Sequence, residues 1–193
     1  ACAAIKAGHF TAEISPFAVK LRVPDLKTGE VIVKDFLAET DEGPRPDSSL
    51  ERLARLKPVF AAQGSVTAGN SSQMSDGAAA VLLVSEKILK QFNLKPLARF
   101  AGYSVAGVAP QIMGIGPVEA IPRVLKQAGV HQQDVDWFEL NEAFAAQSLA
   151  VMRTLGLDPA KVNPQGGAIA LGHPLGATGT IRTATLLHGL QRT

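Results

Sequence analysis

The chain has 193 residues, 46% of them hydrophobic and 19% charged, with a formal net charge of +2. Such a composition describes a globular protein with enough apolar side chain to bury a core, and the near balance of charge implies neither a nucleic-acid nor a membrane partner. One cysteine, Cys2, excludes an internal disulfide framework and any cysteine-based metal site within one chain, and no apolar run is long enough to cross a bilayer.

A lone thiol fits a reducing compartment. No signal peptide is recognisable. The chain opens on Ala1 in what reads as mid-helix, and is expected to be a piece of something longer. Ala1 to Ala7 reads as a helix end stopped by Gly8. Two extended runs follow, Phe17–Val23 and Glu30–Phe36, separated by Pro24 and the turn Lys27-Thr28-Gly29-Glu30; they predict a hairpin or a pair of edge strands. Asp41 to Ser49 is a polar loop, with Ser48 or Ser49 placed to cap a helix carrying Leu50, Leu53 and Leu56 on one face. Gly64 to Asn70 is rich in Gly, Ser and Thr. Beyond it, Asp76 is expected to cap a helix from Gly77 to about Leu89, apolar nearly all round and therefore buried.

The second half alternates. Leu97–Val108 reads as a long strand. Pro117 opens a helix whose Ala120, Ile121, Val124, Leu125 and Ala128 form one stripe, ended by Gly129. Val135–Leu140 reads as a strand, Ala143–Leu155 as a helix ended by Gly156, Val162 as a short strand start and Ala177–Leu190 as a final helix. Alternation with short connections predicts an α/β layered domain with right-handed crossovers. A composition shift near Lys95–Ala98 divides the chain into residues 1–96 and 97–193.

The residues that carry chemistry lie in the second half. His173 sits on a turn between Gly172 and Pro174, within a glycine-lined stretch. An imidazole held there can donate to an oxyanion or take a proton near neutral pH; a structural histidine bonded within a Gly/Pro turn is the alternative. Asn141 closes the strand ending at Leu140. Its amide can fix a water or donate to developing negative charge, or it can simply be an N-cap. The loop 64–72 offers amides and hydroxyls to an amide-bearing or phosphate-bearing ligand, or is a plain polar loop. His9, His131 and His188 read as solvated or capping residues. Cys2, in an alanine-rich helix, reads as a packing residue.

The stretches GSVTAGNSSQMSDGAAAVLL, MGIGPVEAIP, ELNEAFAAQ and VNPQGGAIALGHPLGATG together resemble the thiolase family, in particular 3-ketoacyl-CoA thiolases (acetyl-CoA acyltransferases). The resemblance covers essentially the whole chain, and the last two stretches, in this order and spacing, are its most specific part. The Asn-Ser-Ser-Gln-Met-Ser-Asp-Gly form of the loop is more similar to degradative than to acetoacetyl-CoA-specific members. The resemblance implies a partial thiolase-like layered αβαβα fold: the end of the first half, the CoA-binding loop region and most of the second half. It implies thiolytic cleavage of a 3-ketoacyl-CoA with CoA to give acetyl-CoA and a shortened acyl-CoA. Other readings are a biosynthetic acetoacetyl-CoA thiolase and a non-catalytic CoA-binding or interaction fragment.

Carried over residue by residue, the resemblance makes His173 the base that activates a nucleophilic cysteine and helps bind the thioester oxygen. Asn141 becomes the holder of a water in that oxyanion site. Ala68 and Ser72 match the loop against the pantetheine arm of CoA, with Phe60 packed near it. Arg45 matches an arginine near the nucleotide end, and Ala143 and Phe144 match the lining of the acyl pocket. CoA and acyl-CoA enter as substrates; no cofactor or metal is implied. A homodimeric or homotetrameric parent is implied, cytoplasmic in a bacterium and mitochondrial or peroxisomal in a eukaryote. Neither of the family's two cysteine motifs is matched: Cys2 falls in neither the N-terminal nucleophile segment nor the Cys-x-Gly motif. The isolated chain is therefore expected to be inactive.

Overall fold

The computed structural model describes residues 1–193. Helix α1 spans Cys2–Lys6 and ends where expected: Gly8 follows at φ +73, a left-handed conformation that glycine adopts without penalty. Strands β1, Phe17–Pro24, and β2, Val31–Ala38, pair antiparallel, with Val19 opposite Phe36 and Val23 opposite Ile32. Their turn is closed by Asp25, whose Oδ1 accepts from the Lys27 N–H at 2.8 Å, and by Gly29 at φ +76. Ser49, rather than Ser48, caps α2, Leu50–Ala54, by accepting from the Arg52 N–H. Of the expected leucine face, Leu53 and Leu56 lie against Gly69, whereas Leu50 is 85% exposed.

Two expectations fail in the middle of the chain. The helix from Gly77 to Leu89 does not form. Residues 76–84 make no backbone–backbone hydrogen bond, and Ser85, not Asp76, caps the helix that does form, α3, Glu86–Phe92. An unbroken apolar run carries no 3.6-residue period. It is equally compatible with a strand covered on both faces, and here Leu82 and Leu83 stand exposed instead. The second failure is the strand Leu97–Val108. Residues 101–109 alternate between exposed and half-covered, as a strand lying on one face does, and Gly102 lies under Val124. No neighbouring strand hydrogen-bonds to this segment, so it belongs to no sheet.

Helix α4, Gly116–Ala128, opens with Pro117 in its first turn and ends at Gly129, φ +65. Its stripe Ala120, Ile121, Val124, Leu125 and Ala128 is half-buried while its other residues beyond Val118 are exposed. Helix α5, Ala145–Leu155, starts two residues later than expected and ends at Gly156, φ +64. A four-residue α6, Ala168–Leu171, was not expected; α7 runs from Thr178 to Leu190. The strands expected at Val135–Leu140 and Val162 contract to one parallel bridge between Phe138 and Val162. Every buried residue except Ala4 and Phe10 lies between Leu140 and Gly189. The core is Leu140, Val151, Leu157 and Val162, with Val118, Ile121, Phe138, Met152 and Leu155 packed around it. It supports, from below, the segment that carries Asn141.

Candidate active site

Two turns of irregular backbone meet above that core, and side chains hold them together. Asn163 takes a left-handed φ of +46, tolerated by asparagine more readily than by most residues. Its amide imitates a strand partner: Oδ1 accepts from the Leu140 N–H at 2.9 Å and Nδ2 donates to the Leu140 carbonyl at 2.7 Å. The same Nδ2 reaches the Glu142 carboxylate at 3.1 Å, and the other Glu142 oxygen accepts from the Ile169 N–H at 3.1 Å. Glu142 thus satisfies a free N–H of α6, and Gly167 leaves the space in which its carboxylate lies. Below this, Glu139 and Arg182 form a buried ion pair at 3.1 Å, their side chains 5% and 9% exposed. Arg182 also donates to the Gly166 carbonyl, and the Trp137 indole N–H donates to Glu139 at 2.7 Å. Burial pushes the Glu139 carboxyl above its ordinary range, against the opposing pull of Trp137 and Arg182.

On this frame Asn141 and His173, 32 positions apart in the chain, come together: Asn141 Nδ2 lies 3.2 Å from His173 Nε2. Asn141 is not the cap of α5, which begins four residues later. Its backbone carbonyl instead accepts from Gln147 Nε2 and Ser148 Oγ, each at 3.4 Å, while its side-chain Oδ1 is buried without a partner. The other imidazole nitrogen, Nδ1, lies 2.7 Å from Thr178 Oγ1. The turn before His173 needs glycine twice over. Gly172 has φ +93, and a Cβ there would collide with the Ser75 side chain.

The Ser/Thr/Gly loop closes against the same segment. Thr67 and Asn70 cap each other's backbone in a short 3₁₀ turn, Ala68–Asn70. Beyond it the Ser72 N–H donates to the Ala143 carbonyl at 2.9 Å, and Ser71 bridges to Phe144. Gln73 donates to the carbonyls of Ile169 and Ala170 at 3.1 and 3.0 Å, while its own carbonyl accepts from the His173 N–H at 3.3 Å. Phe60 stands edge-on to Phe144, ring centres 6.1 Å apart. Of the residues singled out in the sequence, the structure pairs His173 with Asn141, Ser72 with Ala143 and Phe60 with Phe144. Ala68 sits exposed on the loop, four residues from Ser72. Arg45 is exposed on the stretch that brings Gly43 against Gln73, and no contact ties its guanidinium to the cluster. An open groove of about 420 Å³ runs beside the histidine turn, between Ser75–Ala79 and Pro174–Ala177.

Glu142, Asn163, Gln73 and Thr178 escaped the sequence reading as site residues. Each lies inside a stretch already singled out, and the signal was polar residues packed densely among glycines, where little else could satisfy exposed backbone. Among the remaining histidines, His131 is exposed before a 3₁₀ turn and its side chain makes no cap hydrogen bond, so it is solvated rather than capping, whereas His9 has a buried Nδ1 with no partner. Cys2, expected as a packing residue, is instead exposed in α1, where the buried position is Ala4.

Family models described as thiolase N-terminal domain and thiolase C-terminal domain match residues 1–87 and 94–193. The chain belongs to the thiolase family. It is 50% identical over 193 residues to a 3-ketoacyl-CoA thiolase of Bacillus subtilis, covering 100% of this chain and 49% of that protein. Its fold is similar to a crystal structure of the Bacillus anthracis acetyl-CoA acetyltransferase, with a TM-score of 0.92 and 47% identity over 100% of this chain and 46% of that one. It is also similar to human mitochondrial 3-ketoacyl-CoA thiolase in complex with CoA, with a TM-score of 0.84 and 46% identity over 99% of this chain and 45% of that one. The chain thus spans about half the length of the relatives it matches. The fold class expected from the sequence is borne out by these structures, although within this chain the only sheet is the β1–β2 hairpin.

Proposed function

We propose that the protein carrying this chain is an acyltransferase of the thiolase type. It cleaves a 3-ketoacyl-CoA with CoA to give acetyl-CoA and a shortened acyl-CoA. The observation that carries the reading is the 3.2 Å approach of Asn141 Nδ2 to His173 Nε2, in a chain of this family. A carboxamide donor and an imidazole directed at one spot suit a reaction that develops negative charge on a thioester oxygen and must move a thiol proton. In the thiolytic step the imidazole takes the proton of the attacking thiol. The thiolate adds to the 3-keto carbon, the carbon–carbon bond breaks, the enolate charge on the thioester oxygen is met by the amide and by the imidazolium N–H, and return of a proton to the α carbon gives acetyl-CoA.

Around this pair, Ser72 and Ala68 are proposed to face the pantetheine arm of CoA, and Phe60 to pack beside it. Ala143 and Phe144 are proposed to line the acyl pocket, and Arg45 to meet the nucleotide end. The Phe60–Phe144 pair supports this, since it sets an apolar wall beside the loop amides. The solved complex of a relative with CoA supports the same ligand. The division into residues 1–96 and 97–193 assigns the loop to the first unit and both polar partners to the second. A homodimer or homotetramer is proposed. Location is proposed to follow the source, cytoplasmic in a bacterium and mitochondrial or peroxisomal in a eukaryote; relatives named for both organelles support the latter. No helix is long and apolar enough to cross a membrane.

The Bacillus anthracis neighbour, named as an acetyl-CoA acetyltransferase, supports a second reading in which the acyl group is acetyl only. Thiolysis by the whole protein that carries this chain, across 3-ketoacyl-CoA lengths, separates the two. Asn141→Ala should lower kcat by about 10²–10³-fold. Wild-type-like turnover in that variant would remove the proposed role. The isolated chain, whose one thiol is the exposed Cys2, is expected to give no turnover. If it binds CoA in a calorimeter while the whole protein forms no acyl-enzyme, the non-catalytic reading replaces this one.

A further inference from the structure

We propose that Thr178 is a positioning residue for His173, and that its hydroxyl fixes the imidazole as the Nδ1–H tautomer, leaving the Nε2 lone pair to face Asn141 and the incoming thiol. The inference rests on the acyltransferase reading for its use, but on geometry alone for its substance. Thr178 is the first residue of α7 and is buried. Its hydroxyl has one hydrogen, and it donates to the Pro174 carbonyl at 3.0 Å, a carbonyl that also accepts the Thr178 N–H at 2.9 Å. With that hydrogen used, Oγ1 has only lone pairs left for the imidazole 2.7 Å away. Nδ1 must then carry the proton.

A neutral imidazole has one N–H, so Nε2 is an acceptor, and the group 3.2 Å from it, Asn141 Nδ2, is a donor. The four groups form one polarity-consistent chain, from Asn141 through His173 and Thr178 to Pro174. Reversing it would withdraw the hydroxyl from Pro174 and require the Asn141 amide to turn over. The direction matters chemically, because a ring with its hydrogen on Nε2 has its lone pair on Nδ1, which faces Thr178 and not the thiol. In the proposed direction the Asn141 N–H gives up the Nε2 lone pair to the thiol, the S–H bond breaks, the proton goes to Nε2, the electron pair stays on sulfur, and the imidazolium keeps its Nδ1–H on Thr178.

The test reads the tautomer directly. Protein labelled with ¹⁵N at histidine is compared with His173→Gln to assign the ring, and then with Thr178→Val and Thr178→Ser. Wild type should give a pyrrole-type Nδ1 and a pyridine-type Nε2. Valine, which fills the space without a hydroxyl, should lower the Nδ1–H to Nε2–H ratio by about fivefold, as loss of one ordinary hydrogen bond does. Serine should keep it. A wild-type ring protonated on Nε2, an unchanged ratio in the valine variant, or serine behaving as valine overturns the proposal. Should the valine variant fail to fold, the wild-type tautomer and the serine variant still decide. In the whole protein Thr178→Val should lower kcat with KM held. If the wild type shows no thiolysis, the acyltransferase reading falls and the tautomer result stands on its own.

Discussion

Gly167→Ala isolates the contact on which the site's frame depends. The backbone there is extended, φ −105 and ψ −166, so alanine meets no conformational penalty. The added Cβ, however, would lie inside the van der Waals envelope of the Glu142 carboxyl carbon and both its oxygens. The carboxylate must leave, and with it go the hydrogen bonds from Asn163 Nδ2 and the Ile169 N–H, each 3.1 Å long. Hydrogen bonds to a charged acceptor contribute about 1.5–3 kcal/mol each. Part is recovered as the freed carboxylate regains water, so a loss of about 2–4 kcal/mol is expected. The assay is urea unfolding of the wild type, Gly167→Ala, Glu142→Ala and the double variant. If the clash with the carboxylate is the cause, alanine at 167 should cost under about 0.5 kcal/mol once Glu142 is already truncated. An equal cost in both backgrounds would refute the reasoning and put the effect in the α6 backbone itself.

Val151→Ala, at a position 0% exposed, should cost about 2–3 kcal/mol in the same unfolding assay, through lost burial and the cavity left behind; a loss under about 1 kcal/mol would mean that the core collapses around the gap. Glu13 has one oxygen buried without a partner, and burial raises its pKa above the ordinary 4.5. A carboxyl whose folded pKa lies above its unfolded one binds more protons folded than unfolded between the two values. Its contribution to stability is thus lost as pH rises through that window and stays lost above it. Glu13→Gln should therefore stabilise at pH 7 and do nothing below pH 4.5, read from melting temperatures at the two pH values, with equal shifts at both counting against the burial argument. Phe60→Ala should weaken CoA binding by about threefold to tenfold in calorimetry, the scale of one lost aromatic contact; unchanged affinity would detach Phe60 from the proposed pantetheine wall.

Local punctuation was legible and pairing was not. Gly8, Gly129 and Gly156 end helices where the sequence places them, because a left-handed residue after the last turn is a local requirement that glycine meets. The hairpin was legible for the same reason: its turn carries its own hydrogen bonds. Residues 77–84 and 97–108 were misread because their state depends on what lies beside them. An apolar run declares that it wants cover but not in which geometry, and neither segment finds a backbone partner in this chain. At the site, His173 and Asn141 could be picked out singly by residue type and setting. Their meeting is legible only through the resemblance, which puts both at one oxyanion site; residue type and setting alone do not give it, since it depends on Asn163 holding Leu140 by a side-chain amide and on Glu142 reaching over Gly167, contacts that leave no periodicity in the sequence.

The cluster also explains why a loop from the N-terminal family domain belongs to a site whose polar pair lies wholly in the C-terminal one. His173 follows a glycine in left-handed conformation and precedes a proline, so its own backbone offers little to fix it. Its N–H is held from across the domain boundary by the Gln73 carbonyl, and the Gln73 amide ties the end of α6 just before it. Ser72 does the same for Ala143, two residues from Asn141. The backbone of His173 and the backbone two residues beyond Asn141 are thus tied to consecutive residues of one loop.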